Sequence, residues 1–563
     1  MEVSVGRKIV KAAQFRWSKL RRLVLLAVAV STLVSGPMAR ETAASPEGAT
    51  DSGHKHPNIV FVLTDDQRFD DLAYMPRTKR LLVDEGMSFI NYVDTVSLCC
   101  PSRVSILRGQ YAHNTGVLTN DGKNGGFVAA HKGGIEESTI ATWLHDSGYK
   151  TALVGKYLNH YPADLGSYVP PGWDYWASPV GGNPYSQFNY VLNENGKTVR
   201  YGNSPEDYGT DVYLRHAQQF IKQCGDKPFF LYLAFYAPHE PATAAPRHRD
   251  LFAEAKVPRT RAFNESDVTT KPEFIQNRPL LSGAEMAGID ELYARRLRSL
   301  QAVDEAVEAL CQTLEKARQL DNTYVVFVSD NGFHLGEHRL RKGKQTAYET
   351  DIHLPLIVRG PGIAGGVRAG QLVGNIDLGP TFAELAGVRA PDFVDGRSLA
   401  PILHGPNKDE PLQWRNTYLV EHWNAQKDPQ NNLQAVPDEP VEPAGDKAKF
   451  ALPEVNLPVL GVSSAASAAF ADDDRDKPVK NRRGKGRIPE YHALRTTHST
   501  YVEYVTGERE FYALDGDLDE VNNLAAGQNA AAKKEHELAV HSKHLEKLKS
   551  AAGAASRALE NEE

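Results

Sequence analysis

Two apolar runs each end in a pair of oxygen-bearing side chains: Asp65-Asp66 follows Ile59 to Leu63, and Asp330-Asn331 follows Tyr324 to Val328. If the two runs are neighbouring strands, three carboxylates and one amide surround a single point. That is a hard, all-oxygen environment, suited to Ca²⁺ or Mg²⁺ and not to a soft transition metal. Taken singly, an acidic pair after a strand is more often a helix cap or a turn. The case for a metal site rests on both pairs ending buried-type strands, because ligands in open α/β sheets bind beyond the strands' carboxyl ends.

The second constellation is Cys99-Cys100-Pro101-Ser102-Arg103, which runs on into Val104, Ile106 and Leu107. Proline suits a first helical turn, where its missing N–H would be unpaired in any case. The free N–H groups of such a turn favour an anion near Cys99, and Arg103 adds a fixed positive charge. The segment reads as a site for a tetrahedral oxyanion; the plainer reading of a cysteine near an arginine is a buried structural thiol. Further cations stand past apolar runs: Lys156 after Thr151 to Val154, and His239 after Phe229 to Tyr236. His334 lies three residues beyond Asn331 and is a candidate for the same pocket, while His113 follows the Cys99 helix without an assigned role.

The elements that must position these residues are legible as periodicity. Apolar, β-branched runs at 59–63, 151–154, 229–235, 324–328 and 355–358 read as strands buried on both faces. Amphipathic stretches between them, notably 212–222 and 297–318, read as helices, with a further helical stretch at 75–85. Strands alternating with helices predict an α/β fold: a large, mostly parallel but mixed central sheet covered on both faces. After Trp423 the pattern dissolves into prolines, an acidic run at 472–474 and a basic cluster at 480–483. Residues 424–489 therefore read as an insertion, at least partly disordered. Beyond it, alternation around Tyr501 to Tyr504, a turn at Thr506-Gly507 and the run Glu510 to Leu514 predict an antiparallel hairpin. The alanine-rich, charged stretch 530–559 predicts a terminal helix, so that 490–563 forms a smaller C-terminal subdomain.

The chain has 563 residues, 41% hydrophobic and 24% charged, with a formal net charge of −7. That size exceeds one ordinary core, and the acidic balance argues against a nucleic-acid binder working by bulk electrostatics. Basic residues from Arg7 to Arg22 precede the apolar run Leu23 to Val34 and then small residues. This is the order of a secretory signal, assigned to residues 1–44, with a flexible lead-in at 45–56. The expectation is an exported protein, secreted or at the cell surface or in a periplasm, without stable membrane association after cleavage. Four cysteines exclude a disulfide-stapled scaffold, and a Cys224–Cys311 bridge is not expected.

The thirteen residues Ser97 to Gly109 resemble the signature of the type I sulfatases, a formylglycine-dependent family. The resemblance implies that Cys99 is converted to formylglycine (3-oxoalanine) by a formylglycine-generating enzyme, and that the fold is alkaline-phosphatase-like. It implies that Asp65, Asp66, Asp330 and Asn331 bind calcium, magnesium being chemically admissible, with the modified Cys99 side chain beside the metal. Lys344, in the segment LRKGKQTAYET, looks like the family's second active-site lysine. Within the family, GKYLNHY from Gly155 and APHEPATAAPRH from Ala237 are similar to N-acetylglucosamine-6-sulfatases and related glycan sulfatases. Leu158 stands where many arylsulfatases carry a histidine, so that histidine's role does not carry over. The resemblance covers 57–423, the expected catalytic domain, and resumes at Leu494.

The expected reaction is hydrolysis of sulfate esters, aryl or glycan, with 6-O-sulfated N-acetylglucosamine the leading substrate. A hydrated aldehyde offers one hydroxyl to attack sulfur and a second that, once deprotonated, expels sulfate, splitting one difficult step into two. Arg103, Lys156 and Lys344 would hold and stabilise the anion, and His239 would protonate the leaving oxygen, with Lys344 its competitor. The rival readings are a phosphonate or phosphate ester hydrolase on the same fold and a non-catalytic binder of sulfated glycans.

Overall fold

The computed structural model describes residues 56–405, 412–426, 487–526 and 532–562. The expected signal segment and most of the 424–489 insertion lie outside these residues. Ten strands form one sheet: β1 (Asn58–Thr64), β2 (Met87–Val93), β3 (Lys150–Gly155), β4 (Tyr175–Gly182), β5 (Tyr190–Glu194), β6 (Lys197–Tyr201), β7 (Phe229–Ala234), β8 (Thr323–Ser329), β9 (Leu356–Arg359) and β10 (Val367–Gly374). Their spatial order is β10-β2-β9-β8-β1-β7-β3-β4-β5-β6. The centre, β8-β1-β7-β3-β4, is parallel throughout, while β9, β5 and β6 run antiparallel to their neighbours.

The central strand shows why the sheet is covered twice. All seven residues of β1 are buried. Because alternate side chains point to opposite faces, Ile59, Phe61 and Leu63 join one apolar cluster and Val60 and Val62 the other. The first face is covered by α1 (Cys99–Arg108), α2 (Ile140–Asp146) and α5 (Leu378–Leu385), through Val104, Ile106, Leu107, Ile140, Leu378 and Phe382. The second is covered by α3 (Gly209–Cys224) and α4 (Gly283–Lys316), through Val212, Phe220, Leu300, Val303 and Leu314. Cys224 and Cys311 both pack here as free buried thiols, in line with the expectation that they do not pair.

Helix α4 starts well before the predicted Leu297. Ser282 accepts from Glu285 N and Glu285 reaches back to Ser282 N, a capping box that nucleates a first stretch whose exposed polar residues blur the apolar period. A second sheet, antiparallel, has the order β11 (Tyr418–His422), β12 (Tyr491–Arg495), β13 (Ser499–Tyr504) and β14 (Arg509–Ala513). The predicted hairpin is β13–β14. Strand β11 precedes the insertion and pairs with β12 beyond it, a partnership with no local signal. The predicted single terminal helix is two, α6 (Ala532–Leu548) and α7 (Ala554–Leu559), broken at Gly553, whose φ is +56°. Gly553 N donates to Asp395 Oδ1 there, and a Cβ would stand 2.9 Å from Asp392 O. Among the described residues no helix is long and apolar enough to cross a membrane.

Candidate active site

Strands β1 and β8 pair in parallel with Thr64 opposite Ser329, so the two oxygen-bearing pairs leave the sheet side by side. Asp330 N donates to Thr64 O at 3.0 Å, and Asp66 N donates to Asp330 Oδ1 at 3.0 Å. Asp66 has φ +67°, a left-handed turn that aspartate tolerates better than most residues. Asn331 Nδ2 donates to Asp66 Oδ1 at 2.7 Å. The four residues expected as metal ligands are thus contiguous and fully buried.

Two further strand ends close the ring. At the end of β3, Gly155 has φ +101° and passes so close to β7 that a Cβ would lie 1.8 Å from Ala234 O; only glycine fits. The approach lets Lys156 N donate to Ala234 O and sends Lys156 Nζ onto Asp65 Oδ2 at 2.6 Å. Past β7, His239 directs Nδ1 at Glu240 O, 2.7 Å away, and presents Nε2 3.6 Å from Asp66 Oδ2.

Cys99 is the first residue of α1, after an extended Leu98. Its Sγ lies 3.3 Å from Asp65 Oδ1 and 3.9 Å from Asp66 Oδ1. One helical turn on, Arg103 Nε donates to Asp330 Oδ2 at 2.8 Å and Nη1 to Lys156 O at 2.9 Å. Lys344 enters from the loop after β8, with Nζ 2.6 Å from Asp66 Oδ1 and 2.7 Å from Cys99 Sγ. Asp65, Asp66, Cys99 and His239 offer ligand atoms that all lie within 4.8 Å of one another.

The electrostatics follow from burial and company. Burial pushes Asp65 up, but Lys156, His239, Arg103 and Lys344 together outweigh it and hold the carboxyl well below its usual range. Asp66 is likewise held low, burial losing to Lys344 and His239. Asp330 is pushed up to about 6 by burial and by Asp65, against the pull of Arg103. Burial and then Asp65 drive the Cys99 thiol well above its ordinary value, Lys156 and Lys344 notwithstanding. A thiol held protonated is a weak nucleophile.

The donor set fits a hard divalent cation. Three carboxylates crowd one dry point, which a cation would relieve. Asn331 Oδ1 is buried and has no hydrogen-bond partner, an acceptor left over for such an ion.

Not every sequence-selected residue joins the cluster. His334 is buried with Nδ1 3.0 Å from Asp351 Oδ2, turned to that carboxylate. His113 Nδ1 pairs with Glu421 at 2.9 Å and Nε2 with Ala551 O, tying the segment after α1 to β11 and the C-terminal stretch. Cys100 packs into the apolar cluster beneath α1. Tyr185 was not picked out by sequence. Its ring lies 4.6 Å from that of His239 and 5.1 Å from Lys156 Nζ. It comes from the β4–β5 connection, where nothing in the sequence pattern signals a site.

The geometry has parallels. A family model described as Sulfatase matches residues 57–388. The N-acetylglucosamine-6-sulfatase of Homo sapiens is 38% identical over 380 residues, spanning 66% of this chain and 68% of that protein. The extracellular sulfatase SULF-1 homolog of Drosophila melanogaster is 36% identical over 376 residues, or 65% of this chain but 33% of its own length. Among solved structures, a protein in complex with its substrate D-glucosamine-2-N,6-O-disulfate superposes with a TM-score of 0.64 at 24% identity, covering 86% of this chain and 96% of the other. At that identity the match speaks to the fold.

Proposed function

The chain belongs to the sulfatase family, and from that premise we propose that it hydrolyses sulfate esters, with Cys99 carried as formylglycine and calcium bound by Asp65, Asp66, Asp330 and Asn331. The observation that carries this reading is the juxtaposition of Cys99 Sγ, 3.3 Å from Asp65, with Lys344, Lys156, His239 and Arg103 around one buried point.

When bound, the ion would screen the sulfate oxygens and lower the pKa of the attacking hydroxyl, which the hydrated aldehyde at position 99 would provide. The chain's own residues do the rest. Lys156 and Lys344 present ammonium groups to the sulfate and to charge developing on it, with Arg103 behind them keeping Asp330 in place. His239 is oriented by its Nδ1 contact with Glu240 O, so that Nε2 faces the cluster and, in the imidazolium form, donates to the leaving oxygen. Arg103, Lys156 and His239 are buried, and Lys344 is largely so, its side chain 11% exposed.

For substrate we favour a glycan sulfate, 6-O-sulfated N-acetylglucosamine first. The named human relative and the segments GKYLNHY and APHEPATAAPRH support that choice. An extracellular relative and the N-terminal sequence support export. The test is Cys99→Ala, which should abolish turnover of a chromogenic aryl sulfate while leaving the fold intact. In the parent chain, the peptide spanning Cys99 should be lighter by the difference between CH₂SH and CHO. Retained turnover in the variant refutes the covalent role. Faster hydrolysis of the matching phosphonate ester than of the sulfate moves the reading to phosphonate chemistry.

A further inference from the structure

The segment carrying Lys344 is held from outside the ten-stranded sheet. Gln345, next to the lysine, has φ +83°, a costly conformation for a residue with a Cβ that persists only where the surroundings fix it. Those surroundings are specific. Thr346 donates through N and Oγ1 to Asp351 Oδ2, at 3.0 and 2.6 Å. Tyr348 OH donates to Glu510 Oε1 at 2.8 Å. Glu510 lies on β14, fully buried, and also accepts from the hydroxyls of Tyr504 and Tyr512 at 2.6 and 2.5 Å. Lys271 Nζ, 2.9 Å from Tyr512 OH and 5.0 Å over the Tyr348 ring, supplies a cation beside this carboxylate. Glu349 receives both Nε and Nη2 of Arg495, on β12, at 2.7 and 3.0 Å, and its N donates to Glu520 Oε2 at 2.7 Å.

We propose that the C-terminal four-stranded sheet is the clamp that places Lys344, with Tyr348 and Glu510 as positioning residues for that lysine. The inference rests on the assignment of Lys344 to the sulfate pocket made above. Its physical basis is a buried carboxylate whose three tyrosine donors leave it few alternative arrangements. The loop is gripped at Tyr348 and Glu349 by groups of the second sheet, four and five residues from the ammonium it must aim. Losing the grip frees the strained turn at Gln345 and moves Nζ away from Asp66 and Cys99.

The test reads Lys344 directly. With limiting acetic anhydride and peptide mass spectrometry, Tyr348→Phe and Glu510→Gln should each raise Nζ acetylation of Lys344 roughly fivefold, as a locally opened site does. Lys156, anchored at the end of β3, serves as the internal reference and should not change. Kinetically, Tyr348→Phe should lower kcat for an aryl sulfate roughly tenfold, yet add nothing in a Lys344→Ala background, because both act through one group. Unchanged Lys344 labelling in Tyr348→Phe, or a loss that adds to that of Lys344→Ala, overturns the proposal. If Glu510→Gln does not fold, Tyr348→Phe decides alone, since it removes one hydroxyl. A parent chain inert toward sulfate esters would instead refute the proposed function, and the labelling would still decide this inference.

Discussion

Arg103 Nε stands 2.8 Å from Asp330 Oδ2, with both side chains 1% exposed or less. The contact joins the second turn of α1 to the residue that follows β8, fixing Cys99 against the oxygen-bearing strand ends. Removing one partner of a buried pair leaves the other charge uncompensated, at about 3–5 kcal/mol. Arg103→Ala is therefore expected to lower unfolding free energy by about that amount in a denaturant titration, besides removing activity. A variant as stable as the parent would mean the pair does not hold the helix to the sheet.

The oxygen cluster predicts a metal response. Calcium binding the folded state alone should stabilise it by about 2.7 kcal/mol at a hundredfold excess over Kd. The parent chain's Tm should rise with added calcium and fall with chelator, while Asn331→Ala, lacking the buried acceptor Oδ1, should respond much less. Equal responses in both proteins would remove Asn331 from the ligand set.

Tyr185 borders two groups at once, His239 and Lys156. An aromatic face near an ammonium is worth about 0.5–2 kcal/mol, so Tyr185→Ala should cut kcat/KM by roughly twofold to thirtyfold. Tyr185→Phe keeps the ring and should stay near the parent value. If the alanine variant keeps full activity, the ring is a bystander to the pocket.

His113 carries a pH signature. Burial lowers its pKa, but Glu421 at 2.9 Å, helped by Ala551 O, prevails and raises it to about 9. Its folded value lies above the unfolded one near 6.5. The stabilisation is therefore fully present below about 6.5 and is lost as pH climbs through 9. Between those limits the parent should lose on the order of 3 kcal/mol more stability than His113→Gln. Parallel stability curves for the two proteins would show that the pair contributes nothing.

Much of the site was readable because its residues sit directly after strands whose patterns are local. The runs before Asp65 and Asp330 declare themselves strands by composition, and Lys156 and His239 follow the same rule. Cys99 and Arg103 share one helix, so four positions of spacing place both. His334 shows the limit: sequence put it near Asn331, and the fold turns its Nδ1 to Asp351, a partner chosen by how the loop folds back.

From the chain alone came the family motif, the strands β1, β3, β7, β8 and β9 with the hairpin β13–β14, and the kinds of group that follow them. The three-dimensional fold decided the order β8-β1-β7-β3 that gathers those ends. It also paired β11 with β12 across the insertion, set Tyr185 against His239 and brought Glu510 under Tyr348. Such pairings join residues far apart along the chain. They are selected by burial and hydrogen bonding once the whole sheet exists, so no short window of sequence contains them.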